Sequence, residues 1–540
     1  MQLLSETCAT LILDRLNLKR ANLLFCGGGK FYILAPRVRL DGLKECEREL
    51  AAAMLERGLY LSLGHTKVSV ADFISGDKRP SRIAEKWEIA EGDADLAKKR
   101  KYSSLDAAVV FDPQEQRNPD SEEDPFAELT EHLRNASGYT IKPLTSRIKP
   151  QWQKVINGLG YEIDFSSGKD SILLNDIGFE GKGGGFRFMA KGIPEWSEAE
   201  IHSFREDIMK VGGNMAHYEQ DGARIQVGNV KTFAQLAGSA FIDTGTGKIG
   251  VLKMDVDNLG RIFSEGFPER LRTISRMMTL SGNLQWFFEG YVNELFKDHR
   301  YSGQIYVIFS GGDDFFLVGA WHKVFELALD IEQAFSEFTF NPALTVSASL
   351  LVVDDHYPVS RFANIAEEEL HKAKYNSIDK NSVSVFGEVL TWQEFRRANA
   401  IKEKLGRLVN EYNFPRSVIQ KVLNGCDGLT ILHERAVRFR EAVERNDSRT
   451  VAWLDAQTPS GEKVWRMSYF LRDVKSKSNP EPGKIAEEII GEYESVVFDA
   501  MKGIASNPAY IAVGARWAEL ANRKKKNVST TTNTTTHAIS

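Results

Sequence analysis

The sequence predicts an α+β protein built around two copies of one ferredoxin-like βαββαβ unit. The first observation is a pair of similar hairpins, because residues 24–34 read LFCGGGKFYIL and residues 308–318 read IFSGGDDFFLV. Each is an apolar run, a glycine turn and an aromatic-rich run, the pattern of a β-hairpin. The second is that residues 59–68 (LYLSLGHTKV) and 344–353 (LTVSASLLVV) follow at a nearly constant offset, and an Ala-Lys pair comes later in both copies. These ordered matches indicate an internal duplication.

The second copy contains every element of the unit. A buried strand, a long helix, the hairpin, a helix, a strand, a helix and a last strand follow one another. Their predicted positions are 249–258 (IGVLKMDVDN), 272–296, 308–318, 324–335 (VFELALDIEQAF), 344–353, 362–375 (FANIAEEELHKAKY) and 382–389 (SVSVFGEV). This order is that of the split βαβ, or ferredoxin-like, unit.

The first copy is predicted to be degenerate and to lack its first strand. Residues 1–17 show apolar side chains at helical spacing and predict an amphipathic core helix. No residues precede this helix to form the strand that opens the second copy. Two explanations stay open, a truncated chain or a separate polypeptide that supplies the strand.

The remaining chain divides by composition. Polar connectors such as RNPDSEEDP (117–125) and a Gly-rich loop, GFEGKGGGF (178–186), mark an intervening α/β region, and helical periodicity predominates after Thr391. The end is poor in apolar residues and predicts a disordered tail. The predicted domains are 1–109 (degenerate first copy), 110–235 (intervening), 236–392 (complete second copy), 393–523 (helical bundle) and 524–540 (tail).

Composition restricts the function classes. The chain has 540 residues, a net charge of −5 and a pI of about 6.1, which excludes a polybasic nucleic-acid binder of the histone kind. Four scattered cysteines without a CxxC pair are typical of a reduced, cytoplasmic protein and predict no zinc. The N-terminal helix carries Glu6 and Asp14, so it is neither a signal peptide nor a membrane span.

Four aspartates of the second copy predict a metal site. Asp255 and Asp257 end the first strand, while Asp313 and Asp314 lie in the hairpin turn. The ferredoxin-like order puts these strands side by side, so four carboxylates would repel one another unless cations bind. Mg²⁺ favours carboxylate and phosphate oxygen, and a metal pair supports phosphoryl or nucleotidyl transfer. The alternatives are an ordinary hairpin turn, where Asp is favoured, and ordinary capping at DVDN.

Further residues are predicted to contact a nucleotide. Gly311 and Gly312 permit a tight turn and close backbone approach, and Lys374 and Lys380 would neutralise phosphate. The set is completed by Asn258, which ends DVDN, and Ser281, for which a plain helix serine is the alternative. In the first copy, Gly29 and Lys30 stand where the hairpin aspartates would be, so that copy is predicted not to bind two metals.

Four segments in this order, KMDVDNLGRIFSEG, TISRMMTLSGNLQWFF, FSGGDDFFLVG and AKYNSIDKNSVSVF, resemble the catalytic GGDD palm of a known family. That family is the large subunit of type III-A (Csm-type) CRISPR effector complexes. LLSETCATLILDRL through LLFCGGGKFYILAP resembles its degenerate first palm. The palm is more distantly similar to GGDEF-type diguanylate cyclases, adenylyl cyclases and polymerases.

The resemblance implies a nucleotidyltransferase that converts ATP into cyclic oligoadenylates when its RNA-guided complex binds target RNA, using two Mg²⁺ or Mn²⁺ ions. It implies Asp255, Asp313 and Asp314 as catalytic residues, with Asp255 and Asp313 the principal metal ligands and Asp257 and Asp314 supporting them. The implied partners are the adjacent repeat-binding subunit, the small subunit, guide RNA and target RNA, with no membrane.

Three departures from the family shape the alternatives. The sequence shows neither the usual N-terminal HD nuclease domain nor a histidine followed directly by an aspartate, so DNase activity is not expected from this chain alone. The family's four-cysteine zinc site between the palms is missing, and the first palm lacks its opening strand. The rival functions are a catalytically silent scaffold that binds guide RNA and neighbouring subunits, and a single-strand DNase subunit whose HD domain is supplied by a separate chain.

Overall fold

The computed structural model describes fifteen stretches of the chain. They are residues 2–27, 29–73, 82–112, 127–145, 151–166, 168, 170–176, 184–189, 192–220, 224–268, 271–375, 380–456, 465–474, 479–501 and 507–523. The connector 117–125, most of the Gly-rich loop and the predicted tail 524–540 lie outside them. Among the helices within these stretches, none combines the length and apolarity needed to cross a membrane.

Residues 1–192 form short strands and helices. The helices are α1 (Gln2–Arg15), α2 (Leu43–Leu55), α3 (Val70–Phe73), α4 (Ile83–Lys98), α5 (Ala107–Val110), α6 (Ala127–Asn135) and α7 (Lys154–Gly158). The strands are β1 (Leu23–Gly27), β2 (Lys30–Ile33), β3 (Gly138–Pro143), β4 (Tyr161–Asp164), β5 (Ile172–Leu174) and β6 (Gly185–Arg187).

The remaining elements lie in residues 193–540. The helices are α8 (Glu198–Lys210), α9 (Met215–Tyr218), α10 (Phe233–Thr244), α11 (Leu259–Glu265), α12 (Ile274–Gln285), α13 (Val292–Lys297), α14 (Trp321–Thr339), α15 (Val359–Tyr375), α16 (Trp392–Asn410), α17 (Ser417–Gly425), α18 (Leu429–Glu444), α19 (Ser448–Ala456), α20 (Arg466–Leu471), α21 (Glu481–Met501) and α22 (Tyr510–Ala521). The strands are β7 (Ile249–Val256), β8 (Ile305–Gly311), β9 (Asp314–Ala320), β10 (Val346–Val353), β11 (Ser382–Val385) and β12 (Glu388–Thr391).

The predicted ferredoxin-like unit of the second copy is present. Its six-stranded sheet has the order β12-β11-β10-β7-β9-β8, and the four neighbouring strands β10-β7-β9-β8 have the ferredoxin-like order. Strand β7 is nearly continuous in apolar residues because it lies in the middle of the sheet and is buried. Its residues Ile249 and Val251 pack with Phe362 and Ala366 of α15.

The predicted last strand, 382–389, is wrong in its extent. The structure divides it into β11 and β12, which pair antiparallel from Ser382 opposite Thr391 to Val385 opposite Glu388. Phe386 and Gly387 both have positive φ, 52° and 86°. Such a pair forms a two-residue hairpin turn, and the second glycine accommodates it without steric cost. The sheet is therefore longer by one strand than the predicted unit.

The first copy is only partly confirmed. Its hairpin exists, because β1 pairs antiparallel with β2 and Cys26 lies opposite Phe31. The strand predicted over residues 59–68 is wrong, since no ladder is formed there. Its counterpart β10 pairs along its whole length with β7, and the first copy has no equivalent of β7 among the described residues. The segment still packs Leu59, Leu61 and Leu63 against the core, as alternation predicts.

Contacts within the chain divide it into two compact units. The first contains Met1–Gly192, Asn258–Lys297 and Phe309–Phe315, and the second contains Ile193–Asp257, Asp298–Ile308 and Phe316–Ser540. The second includes the predicted helical region, whose helices α16 to α22 follow Thr391 as expected. The first has a core around α1, whose buried residues surround the helix rather than forming one narrow stripe.

Candidate active site

Asp255 lies near the end of β7 on the face opposite the core. Its neighbours Met254 and Val256 are buried, whereas the Asp255 side chain is 28% exposed, because successive side chains of a strand alternate between faces. Lys374, near the end of α15, places its Nζ 2.6 Å from Asp255 Oδ2. The lysine that the sequence predicts to meet phosphate thus neutralises a predicted metal ligand in this structure.

Asp257 is buried, with 1% of its surface exposed, and three donors hold its carboxylate. Ser347 Oγ donates to Oδ1 at 2.8 Å, and Thr345 Oγ1 donates to Oδ2 at 2.8 Å. The backbone N–H of Asn381 also donates to Oδ2, at 3.0 Å. Asp257 therefore ties the end of β7 to β10 and to the residue before β11. Charge-assisted bonds of this kind make it an orienting group for the adjacent Asp255.

Replacing Asp257 with asparagine is expected to destabilise the sheet. The amide nitrogen would face a donor, and the charge that strengthens three hydrogen bonds would be lost, at a cost of roughly 2–3 kcal/mol. We expect a lower unfolding midpoint in thermal denaturation, while Asp112→Asn, at an exposed position, should leave it unchanged. An unchanged midpoint in the Asp257 variant would contradict the orienting role.

The GGDD turn joins β8 to β9. Gly312 has φ 67°, a conformation that glycine adopts readily, and the Asp313 N–H donates to the Gly311 carbonyl at 2.8 Å. Beyond the turn Phe315 is fully buried, with its ring stacked on Phe296 at a centroid distance of 6.4 Å. The aromatic residue after the two aspartates therefore anchors the turn.

The same turn is supported by a π-helical segment, Trp286–Tyr291, between α12 and α13. Ser310 Oγ donates to the Phe288 carbonyl at 2.9 Å, which fixes β8 just before the turn. π-Helical turns are uncommon and frequently occur at functional sites. Here the segment brings the Glu289 carboxylate near the backbone N–H of Gly312, whose polarity opposes the rise in the pKa of Glu289.

Glu289 is a site residue that sequence reasoning missed. It is 1% exposed, and its Oε2 accepts hydrogen bonds from Gln285 Nε2 at 2.8 Å and Gln2 Nε2 at 3.1 Å. Burial raises the pKa of Glu289, and the nearby Arg187 guanidinium opposes that rise. A carboxylate within the aromatic run WFFEGY was the available signal, because an acidic residue rarely enters a core without a specific partner.

Arg187 extends this buried polar network. Its Nη1 lies 3.3 Å from Glu6 Oε1, and the Glu6 side chain is completely buried in α1. Tyr139 of β3 donates its hydroxyl hydrogen to Glu6 as well. The first unit thus supports the GGDD turn with a series of charged and amide groups that begins in α1 and ends at Glu289.

The other predicted residues occupy separate positions. Asn258 has φ 54° and precedes α11, and Ser281 lies on α12. Lys380 has φ 52°, and its ammonium lies 5.8 Å from the centre of the Tyr375 ring. In the first copy, Lys30 begins β2, and its Nζ lies 3.6 Å from Glu91 Oε1.

Comparison with known proteins follows the same division of the chain. Residues 248–384 match the family model "Cas10/Cmr2, second palm domain", and residues 1–116 match "Csm1 subunit domain B". A protein of Methanocaldococcus jannaschii, named CRISPR system single-strand-specific deoxyribonuclease Cas10/Csm1 (subtype III-A), is 30% identical over 456 residues. The alignment covers 73% of this chain and 55% of that protein.

A protein of the same name from Thermococcus onnurineus is 28% identical over 516 residues, which cover 82% of this chain and 63% of the relative. The crystal structure of Csm1 in T. onnurineus shares the fold, with a TM-score of 0.65 and 20% identity, covering 96% of this chain and 65% of that one. A Csm1–Csm4 cassette in complex with cA4 gives a TM-score of 0.64 at 20% identity, with the same coverage.

The chain spans somewhat more than half the length of these curated relatives. The matches fall on both parts that the sequence singles out, the GGDD palm and the N-terminal copy. The chain therefore belongs to the Cas10/Csm1 family of subtype III-A CRISPR systems.

Proposed function

We propose that this chain is the nucleotidyltransferase subunit of a type III-A CRISPR complex and converts ATP into cyclic oligoadenylates when target RNA is bound. One observation carries the proposal. The palm sheet has the strand of Asp255 next to the strand that begins at Asp314, directly after the Gly311-Gly312-Asp313 turn. A palm sheet with carboxylates at these strand ends is a scaffold for nucleotidyl transfer.

The donor set fits divalent cations of the Mg²⁺ or Mn²⁺ type. Carboxylate oxygens are the ligands such hard ions prefer, and the partly exposed Asp255 already pairs with a cationic group, Lys374. We assign Asp255 and Asp313 as the principal ligands, with Asp257 and Asp314 in support. The bound ions would lower the pKa of the attacking hydroxyl and neutralise charge on the triphosphate.

The chain's own residues would position the nucleotide. Gly311 and Gly312 would let the phosphates approach the backbone, and Lys374, once a metal ion takes its place at Asp255, would be available for a phosphate oxygen. Lys380, Asn258 and Ser281 remain proposed nucleotide contacts. Glu289, whose carboxylate lies near the Gly312 N–H, would support the turn without touching the substrate.

The partners are proposed by analogy. Solved structures named Csm1–Csm4 subcomplex and cassette share the fold, so we propose a Csm4-type subunit as the neighbour of this chain. Guide RNA and target RNA complete the proposed assembly. The curated relatives are named as single-strand-specific deoxyribonucleases, so we keep that activity as the second candidate function of the complex.

The assembled complex, incubated with ATP, Mg²⁺ and target RNA, tests the proposal. We expect cyclic oligoadenylate by chromatography and mass spectrometry, dependent on target RNA. If no product forms under these conditions, the catalytically silent scaffold is the supported function. If product forms from GTP and not from ATP, the chain is a diguanylate cyclase. Cleavage of labelled single-stranded DNA in the same reaction would support the deoxyribonuclease function instead.

A further inference from the structure

Two histidines and an aspartate lie close together within the second unit, and the proposed function uses none of the three. Asp355 Oδ2 lies 2.9 Å from His217 Nε2 and 3.9 Å from His356 Nε2. All three side chains offer a ligand atom within 4.8 Å of the others. We propose that His217, Asp355 and His356 form a binding site for a divalent transition metal ion of the zinc type.

The three ligands come from two segments far apart in the sequence, and each segment is held locally. His217 lies on α9, whose first turn is capped by Asn214, with the side-chain oxygen accepting from the Ala216 N–H at 3.0 Å. Asp355 and His356 follow β10, and the Tyr357 N–H donates to the Asp354 carbonyl at 3.0 Å, which closes a turn around them. Both segments therefore present their side chains from fixed backbone.

A simple His–Asp hydrogen bond explains only part of this arrangement. It accounts for His217 but not for His356. The His356 Nε2 atom is too far from Asp355 Oδ2 for a hydrogen bond, yet it faces the same oxygen as His217 does. Lys248, the nearby cation, pairs with Asp354 and leaves Asp355 to the histidines. The Asp355 side chain is only 10% exposed, whereas His356 is 65% exposed, so an ion can enter from solvent.

The chemistry of the donor set selects the ion. Two imidazoles and one carboxylate suit Zn²⁺, Co²⁺ or Ni²⁺ rather than Mg²⁺, which prefers oxygen alone. With metal–ligand distances of about 2.0–2.2 Å, ligand atoms of a tetrahedral site stand roughly 3.3 Å apart. The observed 2.9 and 3.9 Å bracket that value, so a small rotation of His356 completes the geometry. Water would fill the open position.

The site would fasten α9 to the end of β10 within the second unit. It is separate from the Mg²⁺-type site proposed for the palm and does not depend on nucleotidyl transfer. This site also differs from the sequence-based prediction of no zinc. That prediction rests on the spacing of the cysteines and does not cover histidine ligands.

Zinc binding by the full chain tests this inference. Chelator-treated protein without an affinity tag is titrated with ZnCl₂ by calorimetry, in millimolar Mg²⁺ that occupies carboxylate-only sites. We expect one zinc equivalent for the unmodified chain and at least about 10-fold weaker binding for His356→Ala and His217→Ala. Substitution with Co²⁺ should give visible absorption that both variants lose.

His299→Ala is the matched control. His299 is exposed and also faces an aspartate, with Nδ1 3.1 Å from Asp298 Oδ1, so it reproduces a His–Asp pair outside the cluster. We expect this variant to bind zinc like the unmodified chain. His356 is largely exposed, so its variant should fold, and matching circular dichroism would confirm this. Absence of zinc binding, or equal binding by all four proteins, would overturn the proposal.

Discussion

An Asp313→Ala, Asp314→Ala double variant is expected to lose at least about 100-fold of its cyclic oligoadenylate synthesis in the assembled complex. The GGDD turn supplies two carboxylates, which are its only side-chain ligands for a divalent cation. The backbone should survive, because the conformation of the turn depends on Gly312 and on the buried Phe315. Initial rates of product formation with saturating ATP and target RNA measure the effect.

Two controls make this result specific. Asp112→Ala removes an exposed carboxylate outside the matched palm and should leave the rate unchanged. Binding of target RNA by the double variant, measured by gel shift, should equal that of the unmodified complex, because the turn is not expected to contact the guide. Undiminished synthesis in the double variant would refute the catalytic assignment of the GGDD turn.

Replacing Glu289 with leucine is expected to lower kcat about 10- to 100-fold with a much smaller change in KM for ATP. Leucine fills the space but removes the acceptor of the Gln2 and Gln285 amides. It also removes one of the two carboxylates near Arg187, which keeps Glu6. The Gly312 N–H would also lose the nearby negative charge. Glu289 is buried and is not proposed to contact the substrate. We therefore expect the substitution to misplace the GGDD turn and so to lower kcat more than it changes KM.

Glu289→Gln separates positioning from folding. Its carbonyl oxygen still accepts from one pair of donors, so we expect a kcat between those of the unmodified and leucine proteins. Leucine at this buried position should also destabilise the first unit by about 1–3 kcal/mol, because the Gln2 and Gln285 amides lose their acceptor while Arg187 keeps Glu6. If kcat fell only in proportion to the folded fraction, measured by circular dichroism under assay conditions, Glu289 would be structural alone.

The second palm could be predicted because its sequence patterns are local. Strand β7, the GGDD hairpin and α15 each show the apolar spacing of their element, and the ferredoxin-like order follows from that succession. The extra strand β12 was missed because the turn at Phe386 and Gly387 has a bulky residue where turn patterns favour Asn or Asp. A glycine inside a predicted strand is a weaker signal than a glycine pair.

The first copy shows where local patterns are insufficient. Residues 59–68 alternate as a strand does, yet a strand exists only when its backbone finds a hydrogen-bonding partner, and that partner is a property of the sheet. Glu289 was missed for a similar reason, since its partners Gln2 and Arg187 are distant in sequence. Lys374 was predicted as a phosphate contact, and its pairing with Asp255 depends on how α15 packs over the sheet.

The pairing of Lys374 with Asp255 has a consequence for the protein without bound metal or substrate. Carboxylates that lie close together repel one another when no metal ion is bound, and this repulsion would destabilise the end of the strand that carries them. Here the helix that follows β10 carries its own counter-ion, tethered by the chain and present from the moment of folding. We therefore expect the strand that carries Asp255 to keep its register in the metal-free protein.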